Sequence, residues 1–329
     1  GNPEDELSVS AYAASMPKEK LYIKKGETYR VKDLLFSLML ESHNDAAVAL
    51  AEYIGSRYLP EEIRQKKVSE YSAQESKDAV SAFAALMNQK AHELGCENTY
   101  FITPNGLDAT ETITLGNGET IVREHCTTAT ELARIMAYCI NESPQKNQFL
   151  EITRTASHSF TANGRNFSCN NHNAFLNMME GALSGKTGFT SKAGYCYVGA
   201  LTSQGRTFVV ALLACGWPNH KTYKWSDTRE LMEYGKENFF FREFLAEETA
   251  LDSNSLHPIP VLDGQTKILG TTAYTGLTVE GREKSKKSES GLLMKPEEKI
   301  QVECQVEKSL QAPVMRGTQV GTVYYAVDG

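Results

Sequence analysis

The chain has 329 residues, 41% of them hydrophobic and 23% charged, so it can bury sizeable cores and is not of the disordered class. Its length favours two domains over one. With 34 basic against 41 acidic residues the net charge is −7, which argues against nucleic acid as a partner, and no apolar run is long enough to span a membrane.

The first strong pattern lies at Val31–Leu40, where Val31, Leu34, Leu35, Leu38 and Met39 follow helical spacing. A second, alanine-rich helix is expected over Asp45–Ile54, ended by Gly55. Between the two stands a polar break, Ser42-His43-Asn44, which is either a helix cap or a site. A third helix is expected from about Gln74 to Leu94, with Val80, Phe83, Ala84, Met87, Ala91 and Leu94 as its stripe and Gly95 as its stop. Thr103–Asp108 (TPNGLD) has turn chemistry, and Thr127–Ile140 reads as an amphipathic helix with threonine caps.

Near residue 150 the pattern changes. EITRTASHSFT alternates partly, as strands do. Gly194–Cys215 reads as two strands joined by a tight turn at Ser203-Gln204-Gly205, followed by a helix at about Trp225–Phe240. A polar linker is expected at Leu251–Ser255, and residues 257–329 read as a small all-β domain. Within it Glu280–Gly291 (EGREKSKKSESG) is expected to be a solvated hairpin tip. The expected domains are therefore 1–250 and 257–329.

The seven cysteines include no C-x-x-C pair, so neither a zinc site nor a redox dithiol is indicated. Cys139, Cys196 and Cys215 lie in apolar runs and are expected to be small buried hydrophobes. His125, His172 and His220 are isolated and read as ordinary polar residues. Asn171 and Asn173 precede the next motif closely and could line a cleft, with no mechanism attached.

That motif is Lys186-Thr187-Gly188, just ahead of the hairpin. An ammonium and a hydroxyl side by side suit a terminal carboxylate, and glycine lets a substrate backbone come close. Alone, KTG is weak and better read as a surface turn. Together with Ser-x-Asn at Ser42 it makes two of the three motifs of the penicillin-recognising serine enzymes.

On these motifs the chain resembles the low-molecular-weight D-alanyl-D-alanine carboxypeptidases, serine peptidase family S11. So do the segments GETYRVKDLLFSLMLESHNDAAVALAEYIG, MNQKAHELGCENTYFITPNGLD and GKTGFTSKAGYCYVGAL. APVMRGTQVGTVYYAVDG resembles the family's C-terminal β domain.

The resemblance implies an α/β (α+β) fold. A β-lactamase/transpeptidase-like domain with an antiparallel sheet and a helical lobe would be followed by a sandwich-like all-β domain. It implies acyl transfer to a serine, with peptidoglycan stem peptides ending in D-Ala-D-Ala as substrate and β-lactams as inhibitors, and no cofactor. Ser42 would relay a proton to the departing amine, and Asn44 would fix the substrate amide and steady the catalytic lysine. Lys186 and Thr187 would hold the carboxylate, Gly188 would allow close approach, and the Phe189 N–H would be half of the oxyanion hole. His43, the variable middle position, receives no role. The protein would be extracytoplasmic, and a C-terminal membrane anchor would lie beyond the residues present.

The third motif, Ser-x-x-Lys, would supply the nucleophile, three residues apart on one helical face. Ser15–Lys18 (SMPK) matches the spacing, but the residues after it are not helix-patterned. Ser143–Lys146 (SPQK) comes after Ser42, in the wrong order. Both are read as coincidences. The nucleophile is expected upstream of Gly1, which is not a natural start, so this polypeptide alone is expected to be inactive. A β-lactamase is the first alternative, disfavoured by length and the β domain. A non-catalytic peptidoglycan-binding protein on the same fold is the second.

Overall fold

A computed structural model describes residues 2–243, 256–279 and 291–327. The expected linker at 251–255 and all but the last residue of the charged stretch 280–291 lie outside those residues. The chain divides into two compact units, Gly1–Glu233 and Tyr234–Gly329.

The first unit opens with β1 (Glu6–Ser8), a single-turn helix α1 (Ala11–Ala14) and β2 (Thr28–Arg30), the strands pairing antiparallel. Ser10 caps α1, its hydroxyl accepting from Ala13 N at 2.9 Å. The helical lobe follows: α2 (Val31–Glu41), α3 (Asn44–Gly55), the short α4 (Glu61–Arg64) and the long α5 (Ala73–Glu93). A reciprocal Ser72/Glu75 box starts α5. Gly95, at φ 71°, stops it, with Cys96 N donating back to Ala91 O at 2.9 Å.

The alanines of α3 have a packing purpose. Ala46, Ala47, Ala49 and Ala51 are all buried, and small side chains let α3 approach α5 closely. At Gly55 the approach is tightest, since a Cβ there would stand 1.8 Å from Ala79 O. Val9, Tyr29, Leu34 and Leu40 complete this core, each large aliphatic contributing about 2 kcal/mol by leaving water.

Next come the hairpin β3 (Thr110–Thr114) and β4 (Thr120–Glu124), then α6 (Ala129–Asn141) and α7 (Lys146–Arg154). Thr128 caps α6, as the sequence leads one to expect. EITRTASHSFT is not one strand: its first four residues finish α7. The helical spacing Phe149–Ile152–Thr153 wins there over the apparent alternation, and α7 buries Ile152 and Thr153. β5 (Ser157–Ala162) and β6 (Arg165–Asn170) then form a hairpin. Its two-residue loop, Asn163-Gly164, takes the positive φ values, 51° and 70°, that fit strand twist.

The central sheet is antiparallel in the order β7 (Ala182–Thr190), β8 (Gly194–Ser203), β9 (Arg206–Leu212). Gln204 (φ 51°) and Gly205 (φ 74°) make the expected tight turn. Side-chain alternation splits the sheet in two. Val198 and Ala200 join Met136 and Ile140 of α6 on one face. Tyr197, Leu201 and Val210 join Phe175 and Met232 on the other, where α8 (Tyr223–Asn238) lies.

In the second unit the regular elements among the described residues after α8 are strands. β10 (Phe240–Glu243) pairs with β13 (Gly291–Met294). β11 (Ile259–Leu262) lies between β12 (Ala273–Thr275) and β15 (Leu310–Gln311). β14 (Ile300–Val306) pairs with β16 (Gly321–Val327).

The cysteine expectation fails for all three positions it named. Cys139, Cys196 and Cys215 are half-buried, and the buried thiols are Cys96 and Cys169. An apolar run identifies a helix or strand, not how far from the sheet's end a residue sits. No helix among the described residues is long and apolar enough to cross a membrane.

Candidate active site

The polar break between α2 and α3 is a helix stop and a helix start set back to back. Ser42 closes α2 in the left-handed conformation, φ 61° and ψ 36°, with its N–H on Leu38 O at 3.0 Å. For a residue with a Cβ that conformation costs about 1 kcal/mol. It turns the chain sharply enough for α3 to begin two residues later. His43 is the extended N-cap of α3, and its Nδ1 meets Ser37 Oγ at 2.8 Å, back against α2. Burial lowers the His43 pKa and favours the neutral ring. The ring is thus engaged away from Ser42.

Asn44 is buried as the first residue of α3. Its amide Nδ2 donates to Lys18 O at 3.1 Å and Pro17 O at 3.4 Å, and its backbone N to Glu19 O at 2.9 Å. Asp45, fully buried, accepts from Leu21 N at 2.9 Å and Ile23 N at 3.2 Å. So the start of α3 clamps the segment 17–23 through backbone groups.

Lys186 is four residues inside β7 rather than at its opening. Its Nζ donates to the Ser42 hydroxyl, across 144 residues of sequence, and to Thr187 O at 2.9 Å. Among the described residues no carboxylate forms an ion pair with it. Burial of the ammonium lowers its pKa to about 8. A hydroxyl and a partly deprotonated amine in contact can exchange a proton near neutral pH.

Lys186 and Gly188 share one face of β7 with their register partners Val198 and Cys196. Gly185 and Thr187 take the other, Thr187 opposite Tyr197. Thr187 is half-buried, Gly188 and Phe189 are exposed, and the Phe189 ring packs at a tilt of 36° against Tyr195 with centroids 4.5 Å apart. β7 lies at the edge of its sheet, where an extended peptide can add as a further strand.

Two supports of this strand were not legible as such. The buried Tyr197 hydroxyl donates to Asn173 Oδ1 at 2.9 Å, and the pair packs against Gly185. A Cβ at Gly185 would stand 2.3 Å from Tyr197 Oη and 2.8 Å from Asn173 Nδ2. Gly185→Ala is therefore expected to destabilise the protein by about 1–3 kcal/mol, read as a lower urea midpoint at unchanged slope. Asn171 has a different task, its Nδ2 bridging Thr153 O and Thr155 O, both at 2.9 Å.

The second support joins the two halves of the site. His172 Nε2 meets Glu41 Oε2 at 2.6 Å, and Glu41 Oε1 accepts from Asn170 N at 2.7 Å. Burial pushes the Glu41 carboxyl up, but the Asn170 N–H and His172 outweigh it and hold the group below the usual range. The last residue of α2 is thereby tied to the segment that leads into β7. His125 also has a partner set, its Nδ1 accepting from Ile102 N at 3.0 Å and Thr103 N at 3.2 Å. It shapes the TPNGLD turn, whose Asp108 accepts from Thr190 Oγ1 at 2.9 Å at the end of β7.

The two Ser-x-x-Lys matches stand apart from this constellation. Ser15 ends α1, its hydroxyl on Tyr12 O at 2.7 Å, and both Ser15 and Lys18 are exposed. Residues 16–19 are not helical, so the spacing does not bring the two side chains onto one helical face. Ser143 sits in the turn before α7, accepting from Gln145 N at 3.2 Å, and Lys146 Nζ reaches Asn141 O at 3.3 Å.

Comparison with known proteins identifies the family of the chain. The family model described as D-alanyl-D-alanine carboxypeptidase, Peptidase_S11, matches residues 2–59 and 72–214. The chain is 24% identical over 326 residues to the D-alanyl-D-alanine carboxypeptidase DacF of Bacillus subtilis, covering 99% of this chain and 69% of that protein. It is 26% identical over 325 residues to DacA of Haemophilus influenzae, covering 98% and 68%. Among solved structures, a D-alanyl-D-alanine carboxypeptidase from Mycobacterium tuberculosis superposes with a TM-score of 0.54 at 26% identity. That match covers 72% of this chain and 75% of the other.

Proposed function

Since the chain belongs to the D-alanyl-D-alanine carboxypeptidase family, Peptidase_S11, we propose that it serves a serine-type carboxypeptidase. The enzyme would remove the terminal D-alanine from peptidoglycan stem peptides through an acyl-enzyme and be blocked by β-lactams. The observation that carries this reading is the Lys186 ammonium in hydrogen-bond contact with the Ser42 hydroxyl beside an open strand edge.

The roles follow from chemistry. Lys186 attracts the substrate carboxylate, and Thr187 donates a hydrogen bond to it. Gly188 has no side chain to hold a peptide off β7. The Phe189 N–H is aimed at the oxyanion that forms on the scissile carbonyl. Ser42 passes a proton to the departing D-alanine nitrogen, and Lys186 sets the Ser42 proton's position. Asn44 positions the site by holding the Pro17–Lys18 backbone against α3. The substrate lies outside the cytoplasmic membrane, so the site works in the extracytoplasmic space. The domain division 1–250 and 257–329 is part of the same reading.

The acyl-accepting serine is not among these residues. This polypeptide by itself is expected to form no covalent adduct with a labelled penicillin, as read by intact mass. An adduct on Ser15 would overturn the assignment of SMPK as coincidence, and one on Ser42 would overturn its role as a proton relay. D-alanine release by the product of the whole gene tests the activity. Binding of the peptide without release would favour a non-catalytic peptidoglycan-binding protein, for which the exposed Ser15 and Lys18 are the supporting observation.

A further inference from the structure

Beyond the Lys186 cleft, exposed aromatic rings gather at the tip of the β7–β8 hairpin. Phe189, Trp217 and Tyr223 are 45%, 44% and 47% exposed. They are linked rather than scattered. Phe189 packs at a tilt against Tyr195, and Lys224 Nζ lies 4.6 Å from the Tyr195 ring centre. Tyr195 N donates to Gly216 O at 2.8 Å, which brings the next residue, Trp217, to the hairpin. A Cβ on Gly194 would stand 3.1 Å from the Trp217 ring. His220 stacks on Tyr223 with centroids 4.6 Å apart.

The group is held in place. Trp217 Nε1 donates to Ser191 O at 3.0 Å, which fixes the indole on the hairpin turn. Ala193 N donates to Thr190 Oγ1 at 3.0 Å and closes that turn. Lys224 is buried at 7% exposure, with its ammonium on Lys221 O at 2.6 Å. Exposed rings also occur elsewhere on the chain, but here they are linked to one another through shared contacts, and a clustered apolar patch marks a binding surface where single exposed side chains do not.

The chemistry of the patch narrows its ligand. Its exposed large apolar side chains are aromatic, and no exposed aliphatic one stands among residues 189–224. An aromatic face is the negative pole of the ring quadrupole, and it attracts the weakly positive C–H groups of a flat, hydroxylated ring. Asn219 and Lys221, exposed beside Trp217 and Tyr223, offer donors for hydroxyl and carbonyl oxygens. Aromatic faces with polar groups at their rim fit a sugar ring better than an aliphatic segment.

Position ties the patch to the site. Phe189 directly follows Gly188 along β7. A peptide held by its carboxylate at Lys186 and Thr187, and pairing antiparallel with β7, runs its other end toward Phe189 and the hairpin tip. We propose that Trp217 and Tyr223, with Phe189, form a saccharide platform that takes an N-acetylated amino-sugar ring of the glycan carrying the stem peptide. The choice of sugar rests on the carboxypeptidase reading; the platform rests on the rings.

The test is a pair of titrations of the chain as it stands, followed by saturation-transfer NMR and calorimetry. One uses tetra-N-acetylchitotetraose, the other a diacetylated lysyl-D-Ala-D-Ala peptide. The wild type is expected to bind both. Trp217→Ala and Tyr223→Ala are each expected to weaken the sugar about tenfold and leave the peptide unchanged. Tyr223→Ala guards against the loss of the Trp217–Ser191 bond loosening the hairpin. Thr187→Val is expected to weaken the peptide alone. Absence of saturation transfer to the sugar, or sugar binding undiminished in both ring variants, would overturn the platform. Loss of peptide binding with the sugar titration intact would count against the carboxypeptidase reading instead.

Discussion

Lys186→Met is expected to weaken binding of a D-Ala-D-Ala peptide on the order of a hundredfold, about 3 kcal/mol, because it removes the charge facing the carboxylate. Burial lowers the Lys186 pKa to about 8, so the wild-type ammonium is lost as pH rises through that value. Affinity should fall over the same window, whereas the variant should show a flat profile. Stability should move the opposite way. Below about pH 8 the lysine is protonated in both states, and the folded protein carries the full penalty of a buried ammonium. Between about 8 and about 10.5 the folded state has released its proton while the unfolded chain keeps its own, so stability rises. The methionine variant should lack that rise and be the more stable protein at neutral pH. Undiminished peptide binding by the variant would refute the role given to Lys186.

The second large effect lies in the helical lobe, at Glu52. This residue is fully buried between α1, α3 and α5, with Ser10 Oγ donating to its Oε1 at 2.7 Å. Glu52 Oε2 and Ser76 Oγ make no close hydrogen bond among the described residues, though the Ser76 hydroxyl stands near enough to pull the carboxyl's pKa part of the way back down. Burial pushes the carboxyl up to about 7. The unfolded chain loses this proton near pH 4.5, the folded protein only near 7. The stabilising contribution is therefore complete below about pH 4.5 and fades by about 3 kcal/mol as pH rises through about 7. Glu52→Gln stays neutral, keeps an acceptor for Ser10 and gains an amide donor. It is expected to match the wild type in acid and to exceed it by about 2–3 kcal/mol at about pH 8, measured by urea unfolding. Parallel pH profiles for the two proteins would refute the assignment.

Several elements were legible because their signals are local. The threonine cap at Thr128, the stop at Gly95 and the turn Gln204-Gly205 act within a few residues, through backbone groups whose needs the sequence states directly. The Asn163-Gly164 hairpin carried an equally local signal, yet it went unread because its strands are short and polar on one side. EITR misled because four residues fit both a period of two and one turn of helix.

What the sequence determined by itself was the pairing of chemistries. Ser42, Asn44, Lys186, Thr187 and Gly188 stand out as two short motifs, a polar helix junction and a Lys-Thr-Gly triplet, and the roles proposed for them come from the resemblance to the family. Only the tertiary structure decided that the Lys186 ammonium rests on the Ser42 hydroxyl, that the Asn44 amide is spent on the Pro17–Lys18 backbone, and that Tyr197 and Asn173 stand behind Gly185. Those contacts join residues from 12 to 144 positions apart, and burial, which packing alone sets, fixes the charge state of Lys186 and Glu52. Distance in space and loss of water are properties of the packed chain, and no window of sequence contains them.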